Sequence, residues 1–177
     1  MKTLKIFTAA LLFVGLTANA YAQNPATENI SATANVMSAL TVAGERDLQF
    51  GDVVQDTPKS IERTDADNSG YFTITVPGNA SISFGFSALP TDLAGTGDAV
   101  GNDLPISFAT TDAGWIIGAN NPAGAAAFNP NGGSTAVTQT AENGDVFHVY
   151  IGGTVTPGAT QVVGTYEGVI TLSAEIN

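Results

Sequence analysis

The chain contains no cysteine, which removes disulfide staples, thiolate metal sites and a cysteine nucleophile at once. Cations are also scarce. Five Lys and Arg stand against 16 Asp and Glu, a formal net charge of −11, and no Lys or Arg occurs between Thr64 and Asn177. Nucleic-acid affinity comes largely from cations that neutralise phosphates, and anionic lipid surfaces recruit polybasic segments, so neither class of partner is expected. One His and one Trp complete the list of rare residues. What is abundant is glycine, 20 of 177 residues, within a chain that is 44% hydrophobic. Glycine in excess points to turns, and that much apolar surface suits a folded domain and not a disordered one.

The N-terminus reads as an export signal. Lys2 and Lys5 precede an apolar run from Ile6 to Leu16, and small residues follow from Thr17 to Ala22. A charged start, an apolar stretch of ~7–15 residues and an A-x-A site define a secretory signal peptide. A membrane anchor is the alternative, but spanning a bilayer takes ~20 apolar residues and this run is shorter. Cleavage is expected after Ala22, leaving residues 23–177 as a single domain, secreted to the periplasm, outer surface or medium, with no membrane span. Its remaining cations would be Arg46, Lys59 and Arg63.

Past that signal no stretch keeps a period near 3.6 free of Gly and Pro. Alternation recurs instead. Ile30, Ala32, Ala34 and Val36 fall on one face of an expected strand; Phe72, Ile74 and Val76 do the same, as do Ile82, Phe84 and Phe86. Near the end, Tyr166, Ile170, Leu172, Ala174 and Ile176 share a face, in a strand expected to open at Gly164. Period-2 patterning describes antiparallel strands with one face in a core. Asn68-Ser-Gly70, Pro77-Gly78, Asn131-Gly-Gly133 and Pro157-Gly158 supply turns. Asn143-Gly144 predicts a hairpin joining strands at 134–140 and 146–151. The expected fold is all-β, an antiparallel β-sandwich or small barrel, with Thr91–Asn131 as a Gly-rich insert of long loops around one or two strands.

Few residues invite a chemical role. His148 has no second His or Cys and no nucleophile elbow beside it, so no acid–base set can be named; the chain reads as a scaffold and not an enzyme, with His148 on a sheet surface or edge. Asp65-Ala-Asp-Asn-Ser-Gly70 matches half of a calcium loop, with Asp65, Asp67 and Ser69 as candidate ligands and calcium as the one candidate cofactor. The twelfth position would be Val76 in place of a bidentate Glu, so a polar hairpin tip, with its Asp and Asn as turn formers, explains the same residues. Asp92, Asp98 and Asp103 form a weaker candidate set. Asn29 and Asn79 each begin a glycosylation sequon. Trp115 suggests a sugar-stacking platform, with a place in the core as the favoured alternative.

Three stretches resemble a bacterial secreted family. They are Ile30–Val42 leading into Asp47-Leu-Gln-Phe-Gly51, then Tyr71-Phe-Thr-Ile-Thr-Val-Pro77, and finally Val149-Tyr-Ile-Gly-Gly-Thr-Val155 with Gly164-Thr-Tyr-Glu-Gly-Val-Ile-Thr-Leu172. Together they are similar to domain-of-unknown-function family 4402, with Val155 where that family often has Leu. The resemblance implies an immunoglobulin-like sandwich on secreted or surface proteins, fimbrial in look, and assigns no activity. A pilin-like subunit would use Ile30, Ala32, Ala34 and Val36 as a strand exchanged between copies, since an extended segment added to a sheet edge gains main-chain hydrogen bonds. Pairing of residues 29–37 within their own sheet is favoured here, because it avoids the cost of association. The expected function is therefore structural or adhesive, with self-association or other surface proteins as partners. A calcium- or carbohydrate-binding module is the alternative.

Overall fold

The computed structural model describes residues 31–34 and 39–177. Residues 1–35 and Val36–Asn177 form separate units. In the first, Ser31–Ala34 are exposed and carry neither helix nor strand. The described part of the expected 29–37 strand is thus not paired within a sheet. Ile30 and Val36, the export signal and Asn29 lie outside the described residues. Among the described residues no helix is long and apolar enough to cross a membrane.

The second unit is all-β, and its strands pair antiparallel throughout. Strands β1 (Thr41–Arg46), β3 (Gly70–Thr75), β7 (Ala113–Ile117), β8 (Ala126–Phe128) and β10 (Val146–Ile151) form a five-stranded sheet in the order β1-β3-β10-β7-β8. Against it lies a three-stranded sheet, β13-β4-β9, made of β4 (Ala80–Ala88), β9 (Val137–Ala141) and β13 (Thr171–Ile176). Alternate residues of both sheets meet in one core: Ile74, Phe147, Val149 and Ile151 from the first, Ile82, Phe84, Phe86, Val137 and Leu172 from the second. This is the sandwich that the alternation predicts.

Aromatic packing holds the middle of that core. Phe84 meets Trp115, Phe128 and Phe147 edge-on at centroid distances of 5.9, 6.2 and 5.5 Å. Phe86 stacks on Phe128 at 5.9 Å. Each such pair adds about 0.5–1.5 kcal/mol beyond the burial of its area.

A third sheet, β12-β5-β6-β11-β2, joins β2 (Lys59–Ile61), β5 (Asp92–Thr96), β6 (Asp103–Ser107), β11 (Gly153–Val155) and β12 (Thr165–Glu167). It builds a smaller core from Leu104, Ile106 and Val155, with Leu48, Phe50, Val53, Leu93 and Tyr166 half-buried around them. Phe108 packs on both cores.

Three expectations need correction. The Thr91–Asn131 insert holds four strands, β5 to β8, and buries Ala99, Leu104, Ile106, Ala113 and Ala125. Gly97, Gly101 and Gly118, all of positive φ, mark tight turns between short strands, whereas Gly95 and Gly114 lie within β5 and β7. Asn143-Gly144 does make a turn, with Asp145 N–H donating to the Glu142 carbonyl and Gly144 at φ 88°. The strands it joins are not a hairpin, however. β9 pairs with β4, whereas β10 pairs with β3 and β7. Val137 and Ala141 face the core from one sheet, Phe147 and Val149 from the other, so the turn carries the chain across the sandwich. The final strand is likewise broken: β12 pairs with β5 and β13 with β4. Gly168 sits between them where a Cβ would come within 2.6 Å of Leu93 Cδ2, and the chain changes sheets there.

Candidate functional site

Two places gather unusual side chains: the outer face of the five-stranded sheet, and a groove over the small core.

On the outer face, β3 and β10 bring Tyr71, His148 and Tyr150 together through the register Tyr150↔Tyr71 and His148↔Thr73. Tyr71 stacks on Tyr150 at 5.2 Å and on His148 at 5.8 Å. A bulge in β1 between Gly44 and Arg46 sets Arg46 opposite Tyr71, and its guanidinium stands 5.7 Å over that ring. Bulges commonly re-aim a side chain in this way. His148 is buried at 8% exposure, on a central strand and not an edge, because the segment after β7 folds over it. His148 Nε2 lies 2.7 Å from the Gly118 carbonyl and Nδ1 lies 2.6 Å from Tyr71 Oη. A carbonyl can only accept, so Nε2 carries the hydrogen; in the neutral ring Nδ1 accepts from the Tyr71 hydroxyl. Tyr150 O–H donates to Asn120 Oδ1 at 2.6 Å. Burial pushes the Tyr71 phenol pKa above its ordinary value, and Glu45 adds to the shift. Burial also raises that of Tyr150, with Tyr71 contributing. Both ring nitrogens of His148 are occupied by framework groups, which leaves no lone pair for a metal or a substrate proton.

The Asp65–Gly70 turn is organised from within. Asp65 Oδ1 accepts from the backbone N–H of Asp67 and Asn68 at 2.9 and 3.0 Å, and Oδ2 accepts from Asn68 Nδ2 at 3.0 Å. The Asn68 amide, then these two backbone donors, hold the Asp65 carboxyl below its usual range. Ser69 is fully buried. Its hydroxyl donates to the Asp65 carbonyl and accepts from Arg46 Nη2 at 3.0 Å, while Arg46 Nε donates to the Ser69 carbonyl at 2.7 Å. These bonds describe a polar turn, but not the tip of a hairpin, since β2 pairs with β11 and β3 with β1 and β10. Among the candidate calcium ligands, the Asp65 oxygens accept from N–H donors, and the Arg46 guanidinium sits at the Ser69 hydroxyl. Asp92 and Asp103 lie on the paired strands β5 and β6, with Asp98 at the tip between them. No three Asp, Glu or His side chains gather as a metal site among the described residues. Trp115 is half-buried and packs against the core, on Phe84 and on Phe147 at 5.8 Å. Asn79 is exposed, and its Oδ1 accepts from the Asn143 N–H at 2.9 Å.

The cations follow the same economy of use. Arg46 donates to the carbonyls of Ser69 and Ala66, Lys59 to that of Asp52, and Arg63 to those of Thr111 and Ala125. Gly114 opens the niche for Arg63, since a Cβ there would lie 2.6 Å from the guanidinium. The two arginines each tie a pair of carbonyls together, and Lys59 holds one.

The groove has a volume of about 1040 Å³. One wall is the end of β1 and the Asp47–Gln55 segment; the other runs from Gln161 to Ile170. Phe72, Leu93, Ile106 and Ile151 form its floor. Gln55 Nε2 donates to the Gln161 carbonyl and joins the two walls, and Gln161 Nε2 donates to Tyr166 Oη at 2.7 Å. Leu48, Phe50 and Gly51, which carry part of the family resemblance, sit in this wall; Gly51 has φ 59°, a conformation that glycine adopts without strain. The rim exposes Val162 and Val163, the latter 81% exposed, and the exposed Val54 and Val169 adjoin the lining residues Val53 and Gly168 in sequence. β1 pairs on one side with β3, and no strand pairs its other side among the described residues. Sequence reasoning missed this groove, because its walls come from segments more than 100 residues apart. The one local signal is the run Val162, Val163 and Val169 around a Gly-flanked short strand.

Comparison with protein-family models and with curated proteins returned no match. The resemblance to family 4402 therefore rests on the motifs quoted above.

Proposed function

We propose that this chain is an exported structural or adhesive protein of the bacterial surface, a scaffold that associates with copies of itself in the manner of a pilin-like subunit. The observation that supports a scaffold is the use made of its reactive side chains. His148, Asp65, Ser69, Arg46 and Arg63 each spend their hydrogen-bonding capacity on neighbouring framework groups. Side chains tied in this way stiffen a fold and are poorly placed to exchange protons with a ligand. Self-association draws support from the side of β1 that no strand pairs among the described residues and from the valine rim, since edges and apolar patches of this kind are where other chains add. The segment holding Ile30, Ala32, Ala34 and Val36 is the candidate for exchange between copies. Its described residues, Ser31–Ala34, are exposed and outside any strand.

The test is sedimentation velocity and negative-stain microscopy on residues 23–177 over a range of concentrations. Concentration-dependent oligomers or filaments are expected. A protein that stays monomeric throughout refutes the self-association. Calorimetry with calcium separates the alternative: a binding heat abolished by Asp65→Ala and Asp67→Ala would replace the scaffold reading with an ion-binding one.

A further inference from the structure

The groove over the small core combines three kinds of lining. Its floor is apolar, with Phe72, Leu93, Ile106 and Ile151. Aromatic rings stand on both walls, Phe50 on one and Tyr166 on the other, each half-buried. Gly44 lies opposite Phe72 in the register of β1 and β3 and puts no side chain over that ring. Carboxylates stand on both walls as well: Asp47 and Asp52 on the first, Glu167 on the second, all exposed.

Elsewhere in the chain carboxylates serve the framework. Asp65, Asp112 and Asp145 accept from backbone N–H groups, and Glu45 and Asp92 accept from threonine hydroxyls. Among the described residues no donor reaches the carboxylates of Asp47, Asp52 or Glu167. Arg46, the one cation among the lining residues, donates to Ser69 and Ala66. Lys59, beside Gly51, donates to the Asp52 carbonyl. The groove therefore offers an apolar floor, ring faces and negative charge on two sides.

We propose that this groove binds organic cations, molecules with a hydrocarbon body and an ammonium or quaternary ammonium head. Each part of the lining favours that class. The floor takes the hydrocarbon out of water. Aromatic rings attract a cation through their quadrupole when it lies within about 6 Å of the ring centre. Carboxylates on facing walls add Coulomb attraction, which an anion would meet as repulsion and a neutral molecule would not feel. The volume of about 1040 Å³ suits a small molecule, whose sites run to ~300–1,000 Å³. The inference is independent of the self-association proposed above.

The test titrates the purified, ¹⁵N-labelled chain with hexyltrimethylammonium, with hexanesulfonate and hexanol as probes of matched hydrocarbon length. The amides of Gly44, Gly51, Gly164 and Gly168, all in the lining, are expected to shift and saturate with the cation. Hexanesulfonate and hexanol should bind at least about tenfold more weakly. Two triple variants, each removing three exposed negative charges, separate the groove from the general acidity of the chain. Asp47→Asn with Asp52→Asn and Glu167→Gln is expected to weaken the cation at least about fivefold, and Glu62→Gln with Glu142→Gln and Glu175→Gln less than about twofold. Far-UV spectra check that both variants fold. Equal weakening by the two variants overturns the groove as the site, as does a set of shifted amides that lies outside the lining. Equal binding of the three probes overturns the choice of a cation. The absence of saturation by about 10 mM hexyltrimethylammonium overturns the proposal as a whole.

Discussion

The two hydrophobic clusters of this protein use the same kinds of residue and close to different degrees. The sandwich core buries Ile74, Val76, Ile82, Phe84, Phe147, Val149 and Ile151 completely, because two sheets face each other and supply side chains from both directions. The small core has one sheet and a loop. It buries Leu104, Ile106 and Val155, and leaves Leu48, Phe50, Val53, Leu93 and Tyr166 partly in water. Closure, more than hydrophobicity, separates the part that holds the fold from the part with surface left to offer. Complete burial gives each apolar atom protein neighbours on every side, whereas a half-covered residue gains part of that contact and part of its transfer free energy.

Mutations should break or sharpen the contrast. Phe84→Ala removes the ring that meets three other aromatics and is expected to cost about 3–5 kcal/mol, read by urea denaturation. Phe50→Ala, in the half-open core, should cost about 1–2 kcal/mol in the same assay; equal losses at the two positions would erase the distinction. Tyr71→Phe removes the hydroxyl that donates to His148 Nδ1 and should cost about 1–2 kcal/mol without changing self-association. Val163→Ser on the exposed rim is expected to leave stability within about 0.5 kcal/mol while weakening association.

The pH dependence of stability follows from the shifted groups. The folded state holds the protons of Tyr71 and Tyr150 more tightly than the ordinary pKa of 10.0 would. Their contribution is therefore complete below pH 10 and lost as pH rises through the raised values. Asp65 is shifted the other way, from 3.8 downward, so its contribution is present above that value and lost as pH falls. Thermal unfolding across pH should show a plateau between these limits. Tyr150→Phe should flatten the alkaline fall, and Asp65→Asn the acid one.

How far the sequence could be read differs between local and distant features. Alternation at Phe72–Val76 and Ile82–Phe86 identified β3 and β4, because a half-buried strand writes its burial directly into every second residue. The Asp65–Gly70 turn was legible for the same reason: Asp and Asn bond their own backbone two or three residues on. The pairing of strands was not. Asn143-Gly144 signals a reversal of direction, and nothing local distinguishes a hairpin from a crossing between sheets. His148 offered two readings from its own strand; its burial depends on Gly118 and Tyr71, 30 and 77 residues away. The short strands of the glycine-rich insert were missed because three to five residues between turns show too few alternations to count.

Taken alone, the amino-acid sequence determined that this chain is all-β, acidic and free of disulfides, since composition and period-2 patterning act residue by residue. Tertiary structure decided which strands share a sheet, that His148, Asp65 and Ser69 are tied into the framework, and that a groove opens beside β1. Those outcomes depend on pairings between segments far apart in the chain, whose free energy comes from shared burial and appears only when both partners are in place.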